Sequence, residues 1–323
     1  MKKPIAIIAG EPNSISAEII FKSWKLRKKY NHKPFFVIGS IHLLNLQKKK
    51  LKYKVHIKEI NDNFNIKDLN SSKLPVYNIE YRQKKPFEKI SNKSNKYIFK
   101  CFDKVLKFAN NKKIVGFINC PISKESLFKN NHQGITEFLS NKTGKKDKAV
   151  MLIYNKQLSV SPVTTHIPLN RVSRKINKYK IVENVKIINN FYKKNFNKKP
   201  NFAILGLNPH NFSSSKNSEE IHIINKAIKN LIRSKINVTG PVPSDSSFMV
   251  FKKYKYNVII GMYHDQVLTP FKALYNYNAI NITLGLPYIR ISPDHGIAKD
   301  ITGKRMANPN SLIQSIKFFN YIK

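Results

Sequence analysis

The chain has 323 residues, enough for about two domains. An apolar fraction of 41% and a charged fraction of 24% exclude a disordered chain, a collagen-like chain and a disulfide-stapled mini-protein. The net charge of +41 is the anomaly, and 52 of the 59 basic residues behind it are Lys. These Lys are interleaved with Asn and Ile along the whole chain. Arg, which grips bases and phosphates through two parallel hydrogen bonds, is scarce. That pattern argues against dedicated nucleic-acid binding, although such a field still draws in small anions.

The N-terminus, MKKPIAIIAGEP, carries an apolar run too short for a signal-peptide core. It reads as a strand over residues 5–9, which places the chain in the cytoplasm. No apolar run approaches the ~20 residues of a membrane helix. Further strands are expected over 35–38, 114–118, 150–154, 158–163, 201–205, 258–262 and 279–283. Amphipathic, Lys-faced segments at 94–108 and 178–194 read as helices. Strands alternating with helices predict an α/β protein with a largely parallel sheet. Residues 43–97 are polar, rich in Lys and Asn, and read as peripheral decoration. Neither Cys101 nor Cys120 sits in a C-x-x-C pair, so no metal knuckle or redox motif is expected.

Polar clusters follow the strands: 10–13, 119–124, 164–166, 206–210 and 263–266. In open α/β sheets ligands bind outside the carboxyl ends of the strands. His166, His210 and His264 share this position. Three imidazoles at strand ends make a divalent-metal site with an open position; the alternative is three unrelated loop histidines. Asp265 and Asp245 suit a ligand-orienting or proton-accepting role, or a helix N-cap. Lys272 and Arg290 stand in apolar surroundings and suit anchoring a phosphate or carboxylate, or they are solvated cations. Neither a G-x-G-x-x-G loop nor a G-x-x-x-x-G-K-[ST] loop is present.

The segments NCPISKE, TEFLS, VTTHIPL, LGLNPH, MYHDQ and NITLGLP-x-IR-x-SPDHG, in that order, resemble the 4-hydroxythreonine-4-phosphate dehydrogenase family of vitamin B6 biosynthesis. The resemblance runs from Ile5 to about Asn308. It implies two α/β/α lobes of the isocitrate and isopropylmalate dehydrogenase type with a cleft between them. Residues 1–125 and 280–323 would form a cofactor-side lobe. Residues 126–279 would form a metal, substrate and dimer-interface lobe. The enzyme would be a homodimer with its active site at the subunit interface. His166, His210 and His264 match the family's metal ligands, one of them donated by the partner. The metal would be a divalent ion: zinc, magnesium, cobalt or manganese. Thr136, Lys272, Asn281 and Arg290 match its substrate anchors, and Asp245 and Asp265 match further substrate contacts. Lys272, Asp265 or Asp245 would act as the base. His295, Gly296, Ala298, Asp300 and Asn308 match the loop that holds NAD, or NADP, by its adenosine end.

The implied activity is oxidation of 4-phosphooxy-L-threonine to a 3-keto acid that decarboxylates to 3-amino-2-oxopropyl phosphate. The chain departs from the family at Ile135, where a histidine is usual, and at Ser14 and Ser16, where glycines are usual. Lys299 and Arg305 replace apolar residues or glycine. These departures leave two alternatives open: a dehydrogenase of another phosphorylated hydroxy acid, such as a four-carbon sugar-acid phosphate, and a degenerate, non-catalytic paralogue.

Overall fold

The strand cores over 5–8, 35–38, 150–153, 202–205 and 258–260 are continuous apolar runs rather than alternating patterns, as expected where both faces of a sheet are covered. The computed structural model describes residues 3–128, 134–144, 148–212 and 217–322. Its strands in chain order are β1 (Ile5–Ile8), β2 (Phe35–Gly39), β3 (Ile57–Ile60), β4 (Leu74–Asn78), β5 (Gly116–Asn119) and β6 (Val150–Tyr154). They continue with β7 (Ser159–Pro162), β8 (Phe202–Leu205), β9 (Val238–Val242), β10 (Val258–Gly261), β11 (Ile280–Leu284) and β12 (Ile289–Pro293). The chain divides into two units, Met1–Leu139 with Leu286–Ile322, and Ser140–Gly285.

In the first unit the strand order is β3-β4-β2-β1-β5-β12, parallel throughout. The helix Asn95–Asn110 buries Tyr97, Ile98, Cys101, Phe102 and Val105 in one apolar cluster with Ile8, Phe36 and Phe117. Burial pushes the Cys101 thiol up to about 12, so it behaves here as a packing residue.

In the second unit the order is β11-β6-β7-β10-β8-β9. Pairing is parallel from β7 to β9 and antiparallel on both sides of β6. The expected strands are all present within a residue or two. The structure adds β3, β4, β9 and β12 to them.

Residues 43–97 are not decoration. They complete the helix Ile41–Lys50, extend the sheet by β3 and β4, and brace the loop after β1. The buried Gln47 amide donates to the Pro12 carbonyl at 2.7 Å and the Pro86 carbonyl at 3.0 Å. Asn13 Oδ1 accepts from Gln83 Nε2 at 3.0 Å and from the Glu88 N–H at 2.8 Å.

The β1 loop also presses against the loop after β5. Gly10 has φ +77°, and a Cβ there would lie 2.5 Å from the Pro121 carbonyl oxygen and 2.9 Å from that of Cys120. Both the left-handed backbone and the close approach demand glycine. Gly10→Ala should therefore lower stability by about 2 kcal/mol or more, read as a fall in the denaturation midpoint at unchanged m-value.

Candidate functional site

In the first unit the polar groups gather behind the carboxyl ends of β1 and β5 and near the start of β12. Arg290, on β12, is 3% exposed, and its Nε donates to Asn119 Oδ1 at the end of β5 at 2.6 Å. Burial pulls the guanidinium down to about 10, with Glu137 and Tyr288 acting the other way, so it is charged at neutral pH. Lys124, which opens the short helix Lys124–Phe128 after β5, is held below the ordinary lysine range by burial first and by Arg290 second. Two cations thus share a neighbourhood in which Glu137 is the carboxylate that acts on both. An arrangement with surplus positive charge fits a phosphate or carboxylate.

Thr136 and Glu137 lie in the first turn of the helix Ile135–Lys142. Ile135 itself is 5% exposed and packs in the apolar cluster with Phe117 and Tyr288. Its side chain is part of the core rather than of a polar surface.

The serines of the first loop bond where glycines would have flexed. Ser14 Oγ donates to the Glu11 carbonyl at 2.8 Å, and Ser16 Oγ donates to the Pro121 carbonyl at 3.3 Å. Glu11 is buried beneath this loop, with Oε1 accepting from the Asn13 N–H at 3.3 Å and from Ser94 Oγ at 3.4 Å. Burial raises its carboxyl above the ordinary range against the pull of Asn13, Ser94 and Lys299.

The loop from His295 to Asn308 is tied to the helix Ser16–Leu26. Glu18 Oε1 accepts from the Ala307 N–H at 2.9 Å and pairs with Lys22 at 2.8 Å. Lys22 Nζ donates to the Ala307 and Arg305 carbonyls. Ala298 adopts a left-handed conformation with φ 46°. Gly296, Asp300 and Asn308 are exposed, and His295 is half-buried.

The second unit carries the histidines. His166 follows β7, and His264 opens the helix His264–Tyr275 after β10. Their rings lie with centroids 5.9 Å apart. His264 Nδ1 is 2.8 Å from Asp265 Oδ1, which leaves Nε2 as the ring's outward ligand atom. His210 sits in the loop after β8 with φ 51° and is exposed. Among the described residues of one chain, no group of three His, Cys, Asp or Glu side chains is placed to hold a metal. The structure therefore brings two of the expected ligands together and leaves His210 out of a closed set.

Asp245 stands exposed in the first turn of the helix Ser244–Val250, its Oδ1 accepting from the Ser246 N–H. Lys272 lies exposed in the last turn of His264–Tyr275. Asn281 is half-buried on β11, and among the described residues its buried Oδ1 has no hydrogen-bond partner.

Sequence reasoning placed Glu11, Lys124 and Gln266 in polar clusters after strands without giving them a role, and missed Glu220. Glu220 Oε1 accepts from the Leu207 and Asn208 N–H groups, each at 2.8 Å, and so holds the loop that carries His210. Burial would raise this carboxyl, but those hydrogen bonds hold it below the ordinary range.

A family model described as the pyridoxal phosphate biosynthetic protein PdxA matches residues 31–319. A protein of Sulfurihydrogenibium sp. named 4-hydroxythreonine-4-phosphate dehydrogenase is 36% identical, covering 99% of this chain and 98% of its own. A protein of Oceanobacillus iheyensis, named provisionally as a D-threonate 4-phosphate dehydrogenase, is 30% identical over 98% of this chain and 96% of its own. The crystal structure of a 4-hydroxythreonine-4-phosphate dehydrogenase from Klebsiella pneumoniae superposes with a TM-score of 0.85 at 27% identity, covering the whole of both chains.

The raised Glu11 carboxyl has a direct consequence for stability. The folded chain holds this proton at a pH where the unfolded chain has released it. The contribution of Glu11 to stability is therefore fully present below the ordinary carboxylate range and is lost as pH rises through that range towards the raised value. Glu11→Gln should remove that decline and raise the melting temperature at neutral pH, as thermal scans at several pH values would read. An unchanged pH profile would contradict the assignment.

Proposed function

This chain belongs to the PdxA family of pyridoxal phosphate biosynthetic proteins, and on that premise we propose that it oxidises 4-phosphooxy-L-threonine with NAD, or NADP, and a divalent metal. The product would be a 3-keto acid that loses carbon dioxide to give 3-amino-2-oxopropyl phosphate. The observation that carries this reading is the buried Arg290 guanidinium beside Lys124, a pair of cations held ready for an anionic substrate.

The unit built from both ends of the chain would serve the cofactor, and the unit Ser140–Gly285 would serve the metal and the subunit contact. Within the second unit Leu169, Tyr179, Ile232 and Met249 are exposed, a set of large apolar side chains that a second copy would cover. Asn281 with its unsatisfied Oδ1, Thr136 and Arg290 would hold the substrate. Lys272, Asp265 or Asp245 would take the hydroxyl proton.

The donor set fits a metal of borderline softness. His166 and His264 supply adjacent imidazoles, and Asp265 fixes the His264 ring. His210, or a histidine of a second copy, would complete the set. A bound metal would act as a Lewis acid that lowers the pKa of the substrate hydroxyl. The loop 295–308 fits the adenosine end of a dinucleotide, since His295, Asp300 and Asn308 offer both donors and acceptors. The nicotinamide would supply the hydride acceptor.

A second reading, favoured by Ile135 and by the Oceanobacillus relative, is the oxidation of D-threonate 4-phosphate. It keeps the same phosphate anchors and replaces the amino group beside the substrate carboxylate by a hydroxyl.

Two measurements test these readings. Purified protein should form NADH from NAD and 4-phosphooxy-L-threonine, lose that activity to a chelator and recover it with a divalent ion. A larger kcat/KM for D-threonate 4-phosphate would favour the second reading, and no turnover of either by metal-loaded protein would overturn both. Arg290→Met should lower kcat/KM about 10- to 100-fold, the range expected for a lost charged hydrogen bond.

A further inference from the structure

The loops that carry the three histidines are joined through one peptide, that of Met262. β10 is flanked by β7 and β8, so these three loops emerge from adjacent strands. The Met262 carbonyl accepts from Thr164 twice, from Oγ1 at 2.7 Å and from the backbone N–H at 3.1 Å. Thr164 lies two residues before His166, and Met262 lies two residues before His264.

On its other side the Met262 N–H donates to Gln266 Oε1 at 2.7 Å. The same amide turns its Nε2 to the Gly206 carbonyl, also at 2.7 Å, at the start of the loop that reaches His210. Gln266 is 8% exposed, and each end of its amide is used. Glutamine is the side chain that suits this place. It offers one donor and one acceptor at a fixed separation, without a charge to bury. A helix needs only the acceptor at this position to satisfy an N–H near its start. The second bond, which leaves the helix for the neighbouring strand's loop, goes beyond that need.

We infer that Gln266 is a positioning residue that locks the His264 loop to the loop of His210, beside the separate bond of Thr164 that ties in the His166 loop, and thereby sets the affinity of the histidines for a divalent ion. This rests on the reading of those histidines as metal ligands. Groups that orient the ligands of a metal commonly contribute 10- to 100-fold to its affinity.

The experiment titrates Zn²⁺ and Mn²⁺ into the metal-free full-length protein by calorimetry, alongside chemical denaturation of the same samples. Gln266→Met removes both bonds. Gln266→Asn is one methylene shorter, keeps an amide and can reach one partner only. The control is Asn155→Met. Asn155 is an equally buried amide, 8% exposed, that bonds the Asn278 carbonyl before β7, at the opposite end of that strand from His166.

The expected result is a dissociation constant raised 10- to 100-fold by Gln266→Met and less by Gln266→Asn. Asn155→Met should leave it unchanged at a similar loss of stability. Wild-type affinity in both Gln266 variants, or an equal loss in the Asn155 control, would overturn the positioning role alone. Failure of the wild-type protein to bind either ion would overturn the metal reading and this inference with it.

Discussion

Parallel pairing is the constraint on which the rest of this structure depends. When β1 lies parallel to β2 and β5, and β10 parallel to β7 and β8, the carboxyl ends of consecutive strands fall at the same edge of their sheet. Every loop that leaves those ends is then a neighbour of the next. Thr164 and Met262, 98 positions apart, meet there through a short side chain and backbone, whereas Arg290, near the start of β12, spans to Asn119 with a long one. The apolar strand interiors supply the burial that makes such polar contacts strong, because a hydrogen bond away from water is not diluted by solvent.

The charge of the chain makes a contrast between two kinds of cation. Most of its 52 Lys sit in water, where their interactions are screened within about 10 Å at moderate salt. Arg290 is different because nearly all of its surface is removed from solvent. A guanidinium in that place loses hydration that only fixed partners can replace. Asn119 supplies one of them directly, and Glu137 supplies charge. A charge held in this way is stabilised further by any anion brought within hydrogen-bond distance of it. Net charge alone says nothing of this kind, which is why a basic chain need not be a nucleic-acid binder.

Much of the fold was legible from the sequence because its central strands are unbroken apolar runs. The strands that escaped notice fail that pattern for identifiable reasons. β3 reads Ile-Lys-Glu-Ile and β9 contains Gly240 and Pro241, so neither offers a run of apolar residues. β12 is interrupted by Arg290, which its apolar surroundings marked as an anion anchor but whose charge hid the strand around it. The histidines stood out because each follows a strand. Gln266 did not, although it lies two residues beyond one of them. Its role depends on where the amide points, and a side-chain direction set by two backbone partners leaves no trace in spacing. Lys124 was hidden by its abundance: one Lys among 52 is distinguished only by the Arg beside it.

The departures at Ser14, Ser16 and Ile135 follow from the same logic of local satisfaction. A glycine loop is flexible and leaves its backbone groups to solvent or ligand. Here Ser14 and Ser16 bind the Glu11 and Pro121 carbonyls with their own hydroxyls, so the first loop is held by side chains where bare backbone would have sufficed. Ile135 is absorbed into the apolar cluster beside Phe117 and Tyr288, so it leaves no gap there. Each change therefore replaces adaptability with a fixed contact inside the unit, while Arg290 and Asn119 keep their bond in the same unit. A chain altered in this way holds Arg290 buried against Asn119 and fixes its first loop through side-chain contacts, so the changes act on the freedom of that loop and leave the buried charge in place.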